Sequence, residues 1–112
     1  MKKIAILTAL FALSGSAFAN FNGANNSVST VSAAKSMADD TYVTLEGSIV
    51  SQVKNDKYIF RDSTGEITVE IDGEDWGGVN VGPNDRVRIY GEVDKELMRA
   101  TEIEVKRVEK LN

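Results

Sequence analysis

Tyr42-Val43-Thr44-Leu45-Glu46-Gly47-Ser48-Ile49-Val50-Ser51-Gln52-Val53-Lys54 is the stretch that decides the fold. Val43, Leu45, Ile49 and Val53 share one parity, while Thr44, Glu46 and Ser48 take the other. A period of two held this long predicts an extended strand with one buried face. Gly47 falls on the buried parity, where a side chain is expected. A glycine there marks a bulge or sharp coil, which lets one long strand belong to both halves of a barrel.

Outward from this strand the alternation repeats. Asn55-Asp56 turns the chain into a second strand, Lys57 to Arg61, with Tyr58 and Phe60 on one face. Asp62-Ser63-Thr64-Gly65 reads as a hairpin loop whose glycine is free to take positive φ. The third strand points Ile67, Val69 and Ile71 inward, and Glu66, Thr68, Glu70 and Asp72 outward. Gly73 to Gly78 reads as a single helical turn that drops Trp76 over one mouth of the core. Pro83 presets a turn at 81–85. Val87, Ile89 and Val93 then alternate with Arg86, Arg88 and Glu92, and Gly91 again takes the buried parity. The fifth strand, about Arg99 to Val108, pairs Ile103 with Val105 on one face but leaves Val108 on the other. Upstream, Ser29 or Thr30 caps a helix over 29–40, striped by Val31, Ala34 and Met37 and ended by Asp39-Asp40. Such a short helix is stable only when docked. The reading is all-β: a five-stranded OB-fold barrel over 41–112, with a short N-terminal helix and a helical turn between strands 3 and 4. Its rival is a small SH3-like or open five-stranded barrel.

The start of the chain is an export signal. Met1-Lys2-Lys3 is basic, Ile4 to Leu13 is apolar, and Ala17-Phe18-Ala19 offers the small residues of a cleavage site. Ten apolar residues at about 1.5 Å each span only ~15 Å, too short for a ~30 Å hydrocarbon core. The expectation is a signal peptide over 1–19, a mature periplasmic chain from Asn20, and a flexible Asn/Ser/Gly-rich leader over 20–28. No membrane insertion is expected, and the domain reads as a monomer.

Composition narrows the chemistry. Of 13 basic residues, removal of Lys2 and Lys3 leaves 11 against 17 acidic ones, a net charge of −6. That charge repels phosphate backbones, so nucleic acid is not an expected partner. The chain has no cysteine and no histidine. Disulfides, thiol catalysis, the usual general base and the commonest transition-metal ligands are thereby excluded. The chain is read as a non-enzyme without a cofactor.

Two surface sets remain. Glu70, Asp72, Glu74 and Asp75 form an acidic run, either a solvated face or a weak cation site. Strand residues two apart lie ~6.6 Å from each other, so Glu70 and Asp72 share one ion only with help from the loop. Lys57, Ile59, Arg61 and Thr68, on the outer face of strands two and three, with Tyr90 on strand four, form the candidate ligand surface. They carry no aromatic row and no basic track, which disfavours single-stranded nucleic acid. OB barrels also bind oligosaccharides, and these mixed polar groups suit a cell-wall glycan. Gly47, Gly91 and Trp76 are read as structural.

Several stretches together resemble one family. They are Ala34-Lys35-Ser36-Met37-Ala38-Asp39-Asp40, Val43 to Ile49, Tyr58 to Gly65, Ile67 to Asp72, Trp76 and Val87 to Lys95. In one register from Thr30 to Leu111 they resemble the bacterial OB-fold (BOF) family of periplasmic stress-tolerance proteins. Glu96-Leu97-Met98-Arg99 departs from the pattern, since members often carry a tryptophan there. The resemblance implies a five-stranded barrel with an N-terminal helix, a periplasmic location and a part in tolerance of peroxide, metal or acid stress. It brings no catalytic residues. The partner it leaves open is peptidoglycan or another oligosaccharide, or an envelope protein.

Overall fold

A computed structural model describes residues 27–112. The expected signal peptide and residues 20–26 of the expected leader lie outside the described residues. A four-residue helix α1 (Val31–Ala34) precedes strands β1 (Tyr42–Lys54), β2 (Lys57–Asp62) and β3 (Gly65–Glu70). A 3-10 turn (Gly73–Trp76) leads to β4 (Val87–Asp94) and β5 (Glu102–Lys110). The strands close in the ring order β1-β2-β3-β5-β4, with β4 returning to β1. Every pairing is antiparallel except β3 with β5. This is the five-stranded OB barrel, closed rather than open.

Closure depends on β1 being shared. Tyr42 to Gly47 pair with β4, whereas Ser48 to Lys54 pair with β2. The hand-over falls at Gly47, where a Cβ would run into the Arg61 carbonyl oxygen and the Phe60 ring. Gly91 sits equally close to the Glu104 carbonyl. Both glycines are thus places where one strand crosses another at backbone contact.

The core is the inward parity of all five strands. Leu45, Phe60, Val69, Ile71, Val87, Ile89, Val93 and Ile103 are fully buried. Three details depart from the alternation expected of the sequence. Val53 is exposed, because irregularities between Ile49 and Ser51 and between Gln52 and Lys54 turn the end of β1 away from the core. Val108 is buried opposite Ile89, because a bulge inserts Lys106 between the Tyr90–Arg107 and Gly91–Val105 pairs and so resets the parity of β5. That strand also begins at Glu102, later than expected. Trp76 is half-buried and meets the Tyr58 ring edge-on, with centroids 5.4 Å apart.

The helix is one turn rather than the span 29–40. Ser29 is used in a parallel bridge to Leu45, its amide donating to the Thr44 carbonyl at 2.8 Å. Beyond Ala34 the amides of Ser36 and Met37 reach back only three residues, which tightens and ends the turn. A helix this short is held by its caps. The Val31 amide donates to Asp62, the Ser32 amide to the Thr64 hydroxyl and the Ala33 amide to the Thr30 hydroxyl, at 2.9, 3.0 and 3.1 Å. The β2–β3 hairpin loop therefore clamps α1, and Val31 and Ala34 seal the core beneath.

Two outcomes follow for stability. Gly47→Ala or Gly91→Ala forces a methyl group onto a carbonyl oxygen, and urea unfolding should show a loss of at least ~2 kcal/mol for either. Asp62 is the second case. Burial alone would raise its carboxyl, but hydrogen bonds from the Thr64 hydroxyl and the Val31, Thr64 and Gly65 amides outweigh this and hold it below the ordinary aspartate range. Its contribution is complete above that range and is lost as pH falls through the lower folded-state value. Asp62→Ala should cost ~1–2 kcal/mol near pH 7, and its gap from the parent should close in strongly acidic buffer.

Candidate functional site

Antiparallel pairing of β2 with β3 sets Lys57 opposite Glu70, Ile59 opposite Thr68 and Arg61 opposite Glu66. Paired residues share a face, so Lys57, Ile59, Arg61 and Thr68 form one outer surface, as the sequence predicts. Its charges are matched. Arg61 Nε donates to Glu66 at 2.6 Å, and Lys57 Nζ to Glu102 at 2.9 Å. The bond to Glu102 holds the Lys57 ammonium above its ordinary value. Ile59, half-buried, is the apolar centre of this polar frame.

The Lys57–Glu102 bridge also joins two loops. Lys57 follows the β1–β2 turn, and Glu102 ends the loop that leaves β4 at Asp94. That loop exposes Leu97 and Met98 almost completely, at 92% and 100% of their surface. Met98 holds a left-handed φ of 66°, a conformation that costs a residue with a Cβ about 1–2 kcal/mol.

Tyr90 lies apart from this set. It is on β4, opposite Thr44 of β1 and Arg107 of β5, and β4 touches neither β2 nor β3 in the ring. Its hydroxyl donates to Glu109 at 2.9 Å, and the Arg107 guanidinium lies over its ring at 4.9 Å. Arg88 joins Glu109 at 3.1 Å and Glu46 at 2.6 Å. Tyr42, which the sequence reading did not single out, stands on the same outer face as Tyr90. Thr44 faces Tyr90 and Tyr42 faces Glu92, so the two tyrosines are diagonal neighbours. The period-two pattern alone, with β1 paired to β4, would have placed them together.

The acidic run is dispersed. Glu70 ends β3, Asp72 precedes the 3-10 turn, and Glu74 and Asp75 lie within it. Among the described residues no three carboxylates come together in a way that would hold a metal ion. The structure instead builds a ladder that a strand-by-strand reading misses. Parallel pairing sets Glu70 beside Glu104, and antiparallel pairing sets Glu104 beside Glu92. Asp94 and Glu102 are neighbours in the same register. Like charges directly opposite one another are unfavourable. Burial, and then the charge of Asp72, push Glu70 above the ordinary glutamate range, and burial followed by Glu96 does the same for Asp94.

The closed five-stranded ring with a polar outer face on β2 and β3 defines the class: a small barrel of the OB type. The particular family follows from likeness of sequence. A family model described as bacterial OB fold (BOF) protein matches residues 13–110, and the chain belongs to that family. Protein YgiW of Escherichia coli K12 is 51% identical over 88 residues, covering 79% of this chain and 67% of the relative. The calcium-regulated OB-fold protein CarO of Pseudomonas aeruginosa is 47% identical over 87 residues, covering 78% and 74%. The solved structure of the hypothetical protein ygiW from E. coli superposes with a TM-score of 0.75 at 49% identity, over 82% of this chain and 98% of that one.

The ladder makes its own forecast. A carboxyl raised above its ordinary value opposes folding while ionised, and that opposition is relieved as acidification protonates it. Glu70→Gln should therefore raise the urea midpoint near pH 7, and the gain should vanish at about pH 3, below the ordinary glutamate value.

Proposed function

We propose that this protein is a non-enzymatic binding module of the bacterial periplasm, taking a glycan of the cell wall on the outer face of β2 and β3 and thereby supporting tolerance of envelope stress. The observation that carries the reading is the meeting of the two loops at the Lys57–Glu102 bridge, beside a face of mixed polarity, with Leu97 and Met98 left uncovered. In OB barrels the face of strands 2 and 3 and its two bordering loops hold oligonucleotides or oligosaccharides. Here the polar groups on that face are paired, no aromatic row stacks bases, and 17 acidic residues outnumber 13 basic ones. An oligosaccharide suits such a surface better than a polyanion, since hydroxyl groups bond to ion-paired side chains without needing net positive charge.

The export signal supports the compartment, and the family supports the link to stress. The sequence offers neither the histidine that usually serves as general base nor a cysteine thiol as nucleophile. Sedimentation with purified peptidoglycan, against a control protein of matched charge, tests the reading. The parent should be retained, and the pair Arg61→Ala and Thr68→Ala should be retained several-fold less. Retention no greater than the control would overturn it.

A further inference from the structure

A groove of about 520 Å³ lies on the other side of the barrel, between the first half of β1, β4 and the segment that carries Ser27 and Ser29. Tyr42 and Tyr90 wall it, Thr44 lies between them, and Gly91 contributes bare backbone. Three features distinguish it from an ordinary stretch of outer sheet. Tyr42 is 79% exposed at the start of a strand whose next three residues are buried, so its ring serves no core role. Tyr90 is immobilised, its hydroxyl held by Glu109 and one ring face covered by Arg107. Ser29 is fixed against β1 by the bond of its amide to the Thr44 carbonyl, which holds it beside the aromatic wall with Thr44 buried beneath it.

The arginines around the groove are already paired. Arg88 is shared between Glu46 and Glu109, and Arg107 lies near Glu109 at 3.7 Å. A phosphate or carboxylate ligand would have to break those pairs, and it would also meet the carboxylate of Glu92, which stands opposite Tyr42. An uncharged ligand with an apolar face and hydroxyl edges meets neither obstacle. Tyrosine presents a large rigid surface at low entropic cost, and its polar tip tolerates water.

We infer that the Tyr42–Tyr90 groove is a second saccharide contact, in which an uncharged pyranose ring lies against Tyr42 with its hydroxyls toward Ser27 and Ser29. The inference rests on the glycan reading above and adds a site that faces away from β2 and β3. A longer glycan chain bound at both surfaces would wrap the barrel, and a short one would occupy either surface alone.

Amide chemical shifts of the isotope-labelled chain from Asn20 onward, titrated with chitotetraose and separately with cellotetraose, test it. Shifts should gather at Ser29, Thr44 and Gly91. Tyr42→Ala should weaken the binding they report about tenfold, the loss of one stacking contact. Tyr42→Phe should restore most of it, and Arg61→Ala should leave it unchanged. Because Tyr42 is exposed, the spectrum of Tyr42→Ala outside the groove should match the parent and certify its fold. Shifts confined to Ile59 and Thr68, insensitive to Tyr42→Ala, would overturn the groove while leaving the β2–β3 reading intact. An absence of shifts with either saccharide at millimolar concentration would overturn both.

Discussion

The barrel rests on two points where backbone meets backbone. At Gly47 the first strand leaves β4 and joins β2, and at Gly91 β4 is crossed closely by β5. A small sheet of five strands has edges that must be hidden, and closing the ring is the only way that removes them entirely. Closure at this diameter needs a sharp coil in the long strand, and a side chain at the crossing would hold the two carbonyl-bearing segments apart. The core then follows. Once β1 belongs to both halves, Leu45, Phe60, Ile89 and Ile103 converge from different strands on one interior.

The second dependency lies at the N-terminal side. Side chains of the β2–β3 hairpin loop, not its backbone, accept from the amides of α1, so the helix exists where Asp62 and Thr64 place it. Asp62 also turns its own loop, accepting from the Thr64 amide and hydroxyl at 2.8 and 2.6 Å. One carboxylate thus shapes a turn and caps a helix. The same arrangement positions the chain before α1, where Ser29 bridges to Leu45 and covers Thr44. Thr44 has outward parity yet is buried for that reason. The groove beside Tyr42 is the other consequence of this covering strap.

Much of this was legible in the sequence, and the failures share one cause. Strand identity, inward parity and the two glycines follow from period two, which is a local property. The set Lys57, Ile59, Arg61 and Thr68 was legible as well, because β2 and β3 are joined by a short hairpin and sequence distance stands in for spatial distance. Tyr90 was grouped with them wrongly placed in space, since its neighbours are Thr44 and Arg107, both remote in sequence. Val108 was misjudged because a single inserted residue, Lys106, flips every later side chain. The helix was drawn too long because Met37 and Ala38 fit an apolar stripe, while the tertiary bonds of Asp39 to the Lys95 amide and of Asp40 to Val93 ended it. The acidic ladder could not be read at all without the parallel β3–β5 pairing.

That ladder bears on the proposed preference for an uncharged glycan. Negative charge is concentrated on the outer faces of β3, β5 and β4, where Glu70, Glu104 and Glu92 stand in a row. Nearby, burial first and neighbouring carboxylates after it hold Glu70 and Asp94 above their ordinary range. The cations elsewhere do not offset it for an incoming polyanion. Lys57, Arg61 and Arg88 are each held by a carboxylate within hydrogen-bonding distance. A phosphate approaching any of them competes with a partner already in place and strands that partner's charge if it wins. Under the proposed function, satisfied pairs next to an acidic strip would both disfavour a polyanion, with no change to the barrel itself. The pairing of these charges is set in turn by strand register, which brings Arg61 to Glu66 and Glu46 to Arg88.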